Sequence, residues 1–144
     1  MIEPIPPARI PHEWNALGKE LLRTKRYEPI NLNNVFAELC THRRQAWRVL
    51  GGFALTEIER IEGTLQHIFW ITHVAGSVGL RKREKVRGVM DEFEEVARTG
   101  RHGKLYCVKC SELRAWPRKG WLRFLPDYSA TPLGDGRFEI RKAL

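Results

Sequence analysis

The spacing of hydrophobic positions changes several times along this chain, and each change marks an element. Residues 1–11 hold Pro4, Pro6, Pro7 and Pro11. Proline lacks an N–H and disfavours helix in the residue before it, so this stretch is expected to be an extended arm preceding a single domain over 12–144. Trp14, Leu17 and Leu21 or Leu22 then recur at helical spacing and predict an amphipathic helix over 12–25. A short second helix follows Asn33 or Asn34, either of which can cap it, with Val35, Phe36 and Leu39 as its apolar side.

Beyond residue 44 the pattern becomes strand-like. Runs at 45–50, 53–61 and 67–74 are rich in aromatic and β-branched residues and are separated by Gly51-Gly52 and Glu62-Gly63-Thr64, which predicts a three-strand antiparallel meander. The clearest helix covers 83–99, where Val86, Val89 or Met90, Phe93, Val96 and Ala97 form one stripe and Gly100 supplies the stop. A strand at 104–110 follows and completes a strand, helix, parallel-strand crossover. A last helix over 113–125, interrupted near Pro117, and closing strands at 128–132 and 136–142 finish the order.

Composition adds three constraints. The chain has 144 residues, 42% hydrophobic and 29% charged, which suits one globular domain and excludes disordered, collagen-like and membrane classes. Its formal charge of +8 favours anionic surroundings. Cys40, Cys107 and Cys110 are too few for a disulfide framework, so free thiols in a reducing compartment are expected. The N-terminus has no signal-peptide pattern and no apolar run reaches a membrane span, so a soluble protein is expected.

Several clusters carry candidate chemistry. Cys107 and Cys110 form a CxxC, and Cys40 and His42 are available as further zinc ligands, but a second CxxC or an HxxxH is missing, so no metal site is expected. Arg81, Lys82, Arg83, Lys85 and Arg87 place cations at the start of the long helix, against its dipole, so either solvent or an anion must offset them. Further cations at Arg43, Arg44, Arg48, Arg114, Arg118, Lys119 and Arg123 spread a positive surface compatible with a nonspecific nucleic-acid-binding module. Trp116, next to Pro117 and flanked by Arg118 and Lys119, reads as an interface anchor.

Two helices, a meander, a long helix, a strand, a short helix and two last strands form the element order of the Gcn5-related N-acetyltransferases. Trp14, Gln45-Ala46-Trp47, Thr56-Glu57-Ile58, Val74-Ala75-Gly76, Glu94-Glu95-Val96-Ala97 and the run from Gly120 to Leu125 resemble a phage-encoded branch of that family. The resemblance implies an α/β fold with a mixed, mostly antiparallel sheet, N-terminal helices, a long crossover helix and a C-terminal strand pair.

Active members cradle the pyrophosphate of acetyl-CoA on a glycine-spaced loop at the long helix. Aligned on Ala97, this chain has Arg81 at the leading position but Lys82, Glu84 and Val86 where the glycines stand, and Trp121 in place of the tyrosine acid.

The expectation that follows is a catalytically degenerate fold serving as a phage virion-associated structural or internal protein, made in the host cytoplasm, with no catalytic, cofactor or metal residues. Its partners would be other phage structural proteins and, nonspecifically, packaged DNA, through Pro6, Pro7, Trp116, Arg118 and Lys119. The alternative is an active N-acetyltransferase with a non-standard phosphate loop. It would use Arg81, Lys82 and Arg83 for acetyl-CoA, Glu57 or His73 as base, with Glu59 and His67 as lesser candidates, and Tyr128 as acid.

Overall fold

The structure is a computed structural model that describes residues 1–24, 30–75, 82–117 and 119–144. Strand β1 (Ile2–Ile5) leads through a 3-10 turn (Pro7–Arg9) into helix α1 (Ile10–Thr24), then helix α2 (Leu32–Cys40). Strands β2 (Gln45–Val49), β3 (Gly52–Arg60) and β4 (His67–Ala75) follow, then helix α3 (Arg83–Thr99). Short strands β5 (Arg101–His102) and β6 (Leu105–Tyr106), β7 (Glu112–Ala115), a 3-10 segment (Lys119–Phe124), β8 (Ser129–Gly134) and β9 (Arg137–Ala143) complete the chain.

Seven strands form one sheet in the order β1-β2-β3-β4-β7-β9-β8, antiparallel except for the parallel pair β4 and β7. The period-two alternation of β2 and β3 sends their side chains to two separate cores. On one face Trp47, Val49, Ala54, Phe69, Ile71, Leu113 and Ile140 pack against the α3 stripe of Val86, Val89, Met90, Phe93, Val96 and Ala97. On the other, Ile5, Ala46 and Leu55 pack against Ile10, Leu17 and Leu21 of α1 and Val35 and Leu39 of α2. Asn31, not Asn33 or Asn34, caps α2: its side chain accepts from the Asn34 N–H at 3.1 Å.

Three expectations are corrected. The proline-rich stretch is extended, but from Ile2 to Ile5 it is the edge strand of the sheet, paired antiparallel with β2 and burying Ile2 and Ile5. Pro4 is tolerated because an edge strand has one row of N–H groups that need no partner. Pro7 opens the 3-10 turn, so Pro6 and Pro7 belong to the entry into α1.

The parallel strand is Glu112–Ala115, not 104–110, because the turn at Gly103 (φ 57°) folds residues 101–106 into a tight hairpin instead. The segment 113–125 is therefore a strand followed by a 3-10 segment, with no α-helix among its described residues.

Candidate functional site

The parallel ladder between β4 and β7 joins only Ile68–Ile71 to Glu112–Ala115. It ends with the Trp116 N–H on the Ile71 carbonyl at 3.4 Å. Strand β4 continues to Ala75, still paired with β3 on its other side. Among the described residues β4 thus has a strand partner on the β7 side only as far as Ile71, and the carboxyl ends of the two parallel strands part. Ligands of α/β sheets bind at such carboxyl ends.

Helix α3 follows β4 at this end of the sheet. Its N-cap, Lys82, is extended and its side chain makes no capping bond, while the Lys82 carbonyl accepts from the Val86 N–H at 3.0 Å. The amides of the first turn therefore project from the helix, and Lys82, Arg83 and Lys85 are exposed around them. This donor set suits a diphosphate: first-turn N–H groups that have no intrahelical partner, the positive end of a dipole and exposed cations. Val86 does not obstruct it, since its side chain turns into the core, and Glu84 is exposed to solvent. Arg81 lies outside the described residues.

A bulge places His73. Leu55 faces His73 while Thr56 faces Ile71, so Thr72 is an extra residue on β4. The extra residue turns His73 away from the α3 face and onto the α1–α2 face, opposite Leu55. The Thr72 hydroxyl lies 3.3 Å from the Leu55 carbonyl, to which it donates, and 3.0 Å from His73 Nδ1.

Glu57 stands on the same face opposite Trp70. Arg44 joins them: its Nε is 2.6 Å from Glu38 and 3.3 Å from Glu57, and its charge acts on His73. Burial, with Arg44 second, lowers the His73 pKa to about 4, so its imidazole is neutral at neutral pH. Of the candidates for a base, Glu57 and His73 are brought together. Glu59 sits one step further along the same face, and His67 lies at the opposite end of β4, across from Arg60.

Tyr128 is not brought to them. It is buried in the α3 core, on the other side of the sheet, and burial followed by the Glu94 carboxylate raises its pKa, so it holds its proton firmly. Around it Lys142 pairs with Glu94 and, at 2.8 Å, with Asp127, and Arg87 reaches Asp127 at 2.6 Å. Trp121 is core as well, packed in the α3 cluster.

Trp116 is 37% exposed at the mouth of the strand parting. Arg118 lies outside the described residues, and Pro6 is exposed at the far edge of the sheet.

The Cys110 thiol is buried and donates to the Val108 carbonyl at 3.4 Å. Burial raises the pKa of both CxxC thiols, that of Cys110 to about 12 with Cys107 as the second cause. Cys40 and His42 are elsewhere, on α2 and hydrogen-bonded to Gln45.

Arg44, Thr72 and Trp70 complete the site and escape sequence reasoning. Arg44 reads as one cation among many, and nothing in the run His67–Ala75 announces a bulge.

No protein-family model matches the sequence, and no curated protein matches it. Solved structures do match in shape. An Ard1 from Thermoplasma volcanium aligns with a TM-score of 0.60 at 14% identity, over 100% of this chain and 97% of that one. Naa50 of Arabidopsis thaliana, in complex with a bisubstrate analogue that joins CoA to an acetylated peptide, aligns at 0.60 with 8% identity, over 100% and 98%. A GNAT-family acetyltransferase from Streptococcus agalactiae aligns at 0.58 with 12% identity, over 100% and 95%.

The fold is therefore the GNAT fold. The expectation of a degenerate virion component is overturned: these neighbours are acetyltransferase structures, one of them holding a CoA conjugate, and none is described as a particle protein.

Proposed function

We propose that this chain is an acetyl-CoA-dependent N-acetyltransferase. The observation that carries the reading is the parting of β4 and β7 beside an uncapped α3 N-terminus, with a neutral histidine delivered to the same strand by a bulge. Acetyl-CoA, when bound, supplies an acyl thioester. The first-turn amides of α3, with Lys82 and Arg83, hold its diphosphate, and the β7-side edge of Thr72–Ala75 offers backbone groups to an extended amide-bearing arm, as an added strand would use them.

Transfer forms a C–N bond and breaks the C–S bond, so the attacking nitrogen must lose a proton and the departing sulfur must gain one. His73, unprotonated at neutral pH and fixed by Thr72, accepts the proton from the amine, and the sulfur departs as thiolate and takes its proton from water. Glu57 holds the incoming ammonium beside it, and Arg44 keeps both side chains on one face. Tyr128 is given no step, because its ring is packed under α3 on the opposite side of the sheet.

Calorimetric titration with acetyl-CoA, and with CoA, tests the reading. Saturable micromolar binding that weakens at least tenfold in the double variant Lys82→Glu, Arg83→Glu is expected. Absence of heat and of thermal stabilisation, in folded protein, would overturn it.

A further inference from the structure

Much of the positive charge read from the sequence is neutralised in pairs. Arg44 is shared between Glu38 and Glu57, Arg48 lies on Glu3 and Glu13, and Arg114 grips both oxygens of Glu112 at 2.9 and 3.2 Å. The carboxylates on the second half of α3 are all taken as well: Asp91 by Arg87, Glu92 by the Met1 amino group, Glu94 by Lys142 and Glu95 by Arg98. Immediately beyond them the balance changes. Residues 100–111 hold no Asp or Glu, and Arg101, Lys104 and Lys109 have no ion-pair partner among the described residues.

The hairpin of β5 and β6, with the chain that leaves it, sorts its side chains onto two faces. His102 turns inward, its ring 5.6 Å from that of Trp47 and its Nε2 3.2 Å from the Ile2 carbonyl, and Leu105 and Cys107 pack on the α3 core. Arg101, Lys104, Tyr106 and Val108 are left outside, with Tyr106 66% exposed. Arg101 faces Tyr106 across the hairpin, and its guanidinium stands 5.4 Å from the ring centroid. That contact steadies the ring and leaves most of it to water. The Lys109 stem runs beside Gly100, where an added Cβ would meet Lys109 Cγ at 3.4 Å, which sets a third cation at the end of α3. The C-terminal dipole of α3 accounts for Lys109, but not for Lys104 at the hairpin tip or for an exposed tyrosine.

We propose that this hairpin docks single-stranded nucleic acid, with a base stacked on the open part of the Tyr106 ring and phosphates met by Arg101, Lys104 and Lys109. An anionic lipid surface fits less well, because Val108 is the only aliphatic side chain that residues 101–109 expose. With Tyr106 alone to meet a base, the surface is indifferent to sequence. It lies at the opposite end of α3 from Lys82, about 25 Å away for a helix of 17 residues. It therefore neither uses nor obstructs the acetyl-CoA site, and it stands whether or not the chain is an acetyltransferase.

Fluorescence anisotropy of the purified full-length protein tests it, with fluorescein-labelled oligouridylate, oligothymidylate and a DNA duplex of equal length, each at rising KCl. The two single strands tell RNA from DNA as the ligand. Tyr106→Ala and the double variant Lys104→Gln, Lys109→Gln are compared with Lys19→Gln, Arg43→Gln, an equal loss of charge at exposed positions outside the hairpin. Unaltered urea midpoints will show that all three are folded.

The expected result is saturable binding of at least one single strand, fivefold or more tighter than of the duplex. The hairpin double variant will lose at least tenfold, and its slope of log affinity against log salt will be shallower by about 1.4, two phosphate contacts at about 0.7 each. Tyr106→Ala will weaken single strands at least fivefold and leave the duplex unchanged, while the control pair stays within about twofold of wild type. No binding at the lowest salt, a duplex bound as well as single strands, equal losses in the hairpin and control pairs, or single-strand binding indifferent to Tyr106→Ala would overturn the proposal. Tighter binding to phosphatidylserine vesicles, lost in Val108→Asp and kept in Tyr106→Ala, would overturn it in favour of a lipid surface.

Discussion

His73 makes stability depend on pH in a calculable way. Its side chain is 9% exposed, and its pKa falls from the ordinary 6.5 to about 4 on folding because burial and then the Arg44 charge disfavour the imidazolium. Between those values the unfolded chain binds a proton at this position and the folded chain does not. The contribution is therefore complete above pH 6.5 and is lost as pH falls toward 4, at about 1.4 kcal/mol per unit. Over the whole window the loss comes to about 3 kcal/mol, a large share of a small domain's stability.

Asp127 does not confuse the window. Burial opposes ionisation of its carboxyl, but the Lys142 and Arg87 hydrogen bonds outweigh that and lower its pKa from 3.8 to about 2. The stability this carboxylate adds is present above 3.8 and declines only below it. Urea unfolding of wild type and of His73→Gln, at intervals from pH 7.5 to 4.5, isolates the histidine. The variant keeps a polar side chain but cannot charge, so its stability curve will be flatter than that of wild type by about 2 kcal/mol between pH 6.5 and 5. Parallel curves would refute the reasoning and mean that the folded protein admits the imidazolium.

Other expectations are simpler to check. Gly100 ends α3 at φ 71°, where an added Cβ would stand 2.5 Å from the Cys107 carbonyl oxygen, whereas Gly103 at φ 57° has open space around it. Gly103→Ala will cost about 1 kcal/mol for the left-handed backbone alone, and Gly100→Ala will cost about 1–3 kcal/mol more, read as urea midpoints. Leu113→Ala, in the middle of the parallel ladder and fully buried, will cost about 2–5 kcal/mol in the same assay. Cys107 and Cys110, their ionisation suppressed by burial, will react with an aromatic disulfide reagent at pH 8 many times more slowly in native protein than in urea.

The elements readable from sequence were those that signal their own burial. The α3 stripe repeats over the whole of 83–99, and β2, β3 and β4 are aromatic and β-branched runs between turn residues. Strand β1 was hidden because its four residues include a proline, and only its pairing with β2 makes it a strand. Strand β7 was hidden for a similar reason: Glu112–Ala115 has just two core side chains, Leu113 and Ala115, and its identity comes from β4 on one side and β9 on the other.

The candidate site was legible as residue types but not as an arrangement. Glu57 and His73 could be named as bases, but the bulge at Thr72 that sets them on one face has no sequence signature. The absent glycines at 82, 84 and 86 argued for a lost cofactor loop. The helix end keeps its backbone amides and exposed cations whatever the side chains between them.

Because only four residue pairs join β4 to β7, the sheet is two antiparallel half-sheets held along one short seam, and that seam governs the order of assembly. The β2–β3, β3–β4 and β8–β9 pairs close through short turns, whose entropic cost is small, but the seam must bring together residues about forty positions apart across α3. The seam therefore belongs to the late part of folding, with α3 docked first to supply the apolar surface on which Leu113 lands. In pulse-labelled refolding, the amides of β3 and β4 at their shared ladder will be protected before those of β7, and simultaneous protection would show that the two halves fold as one.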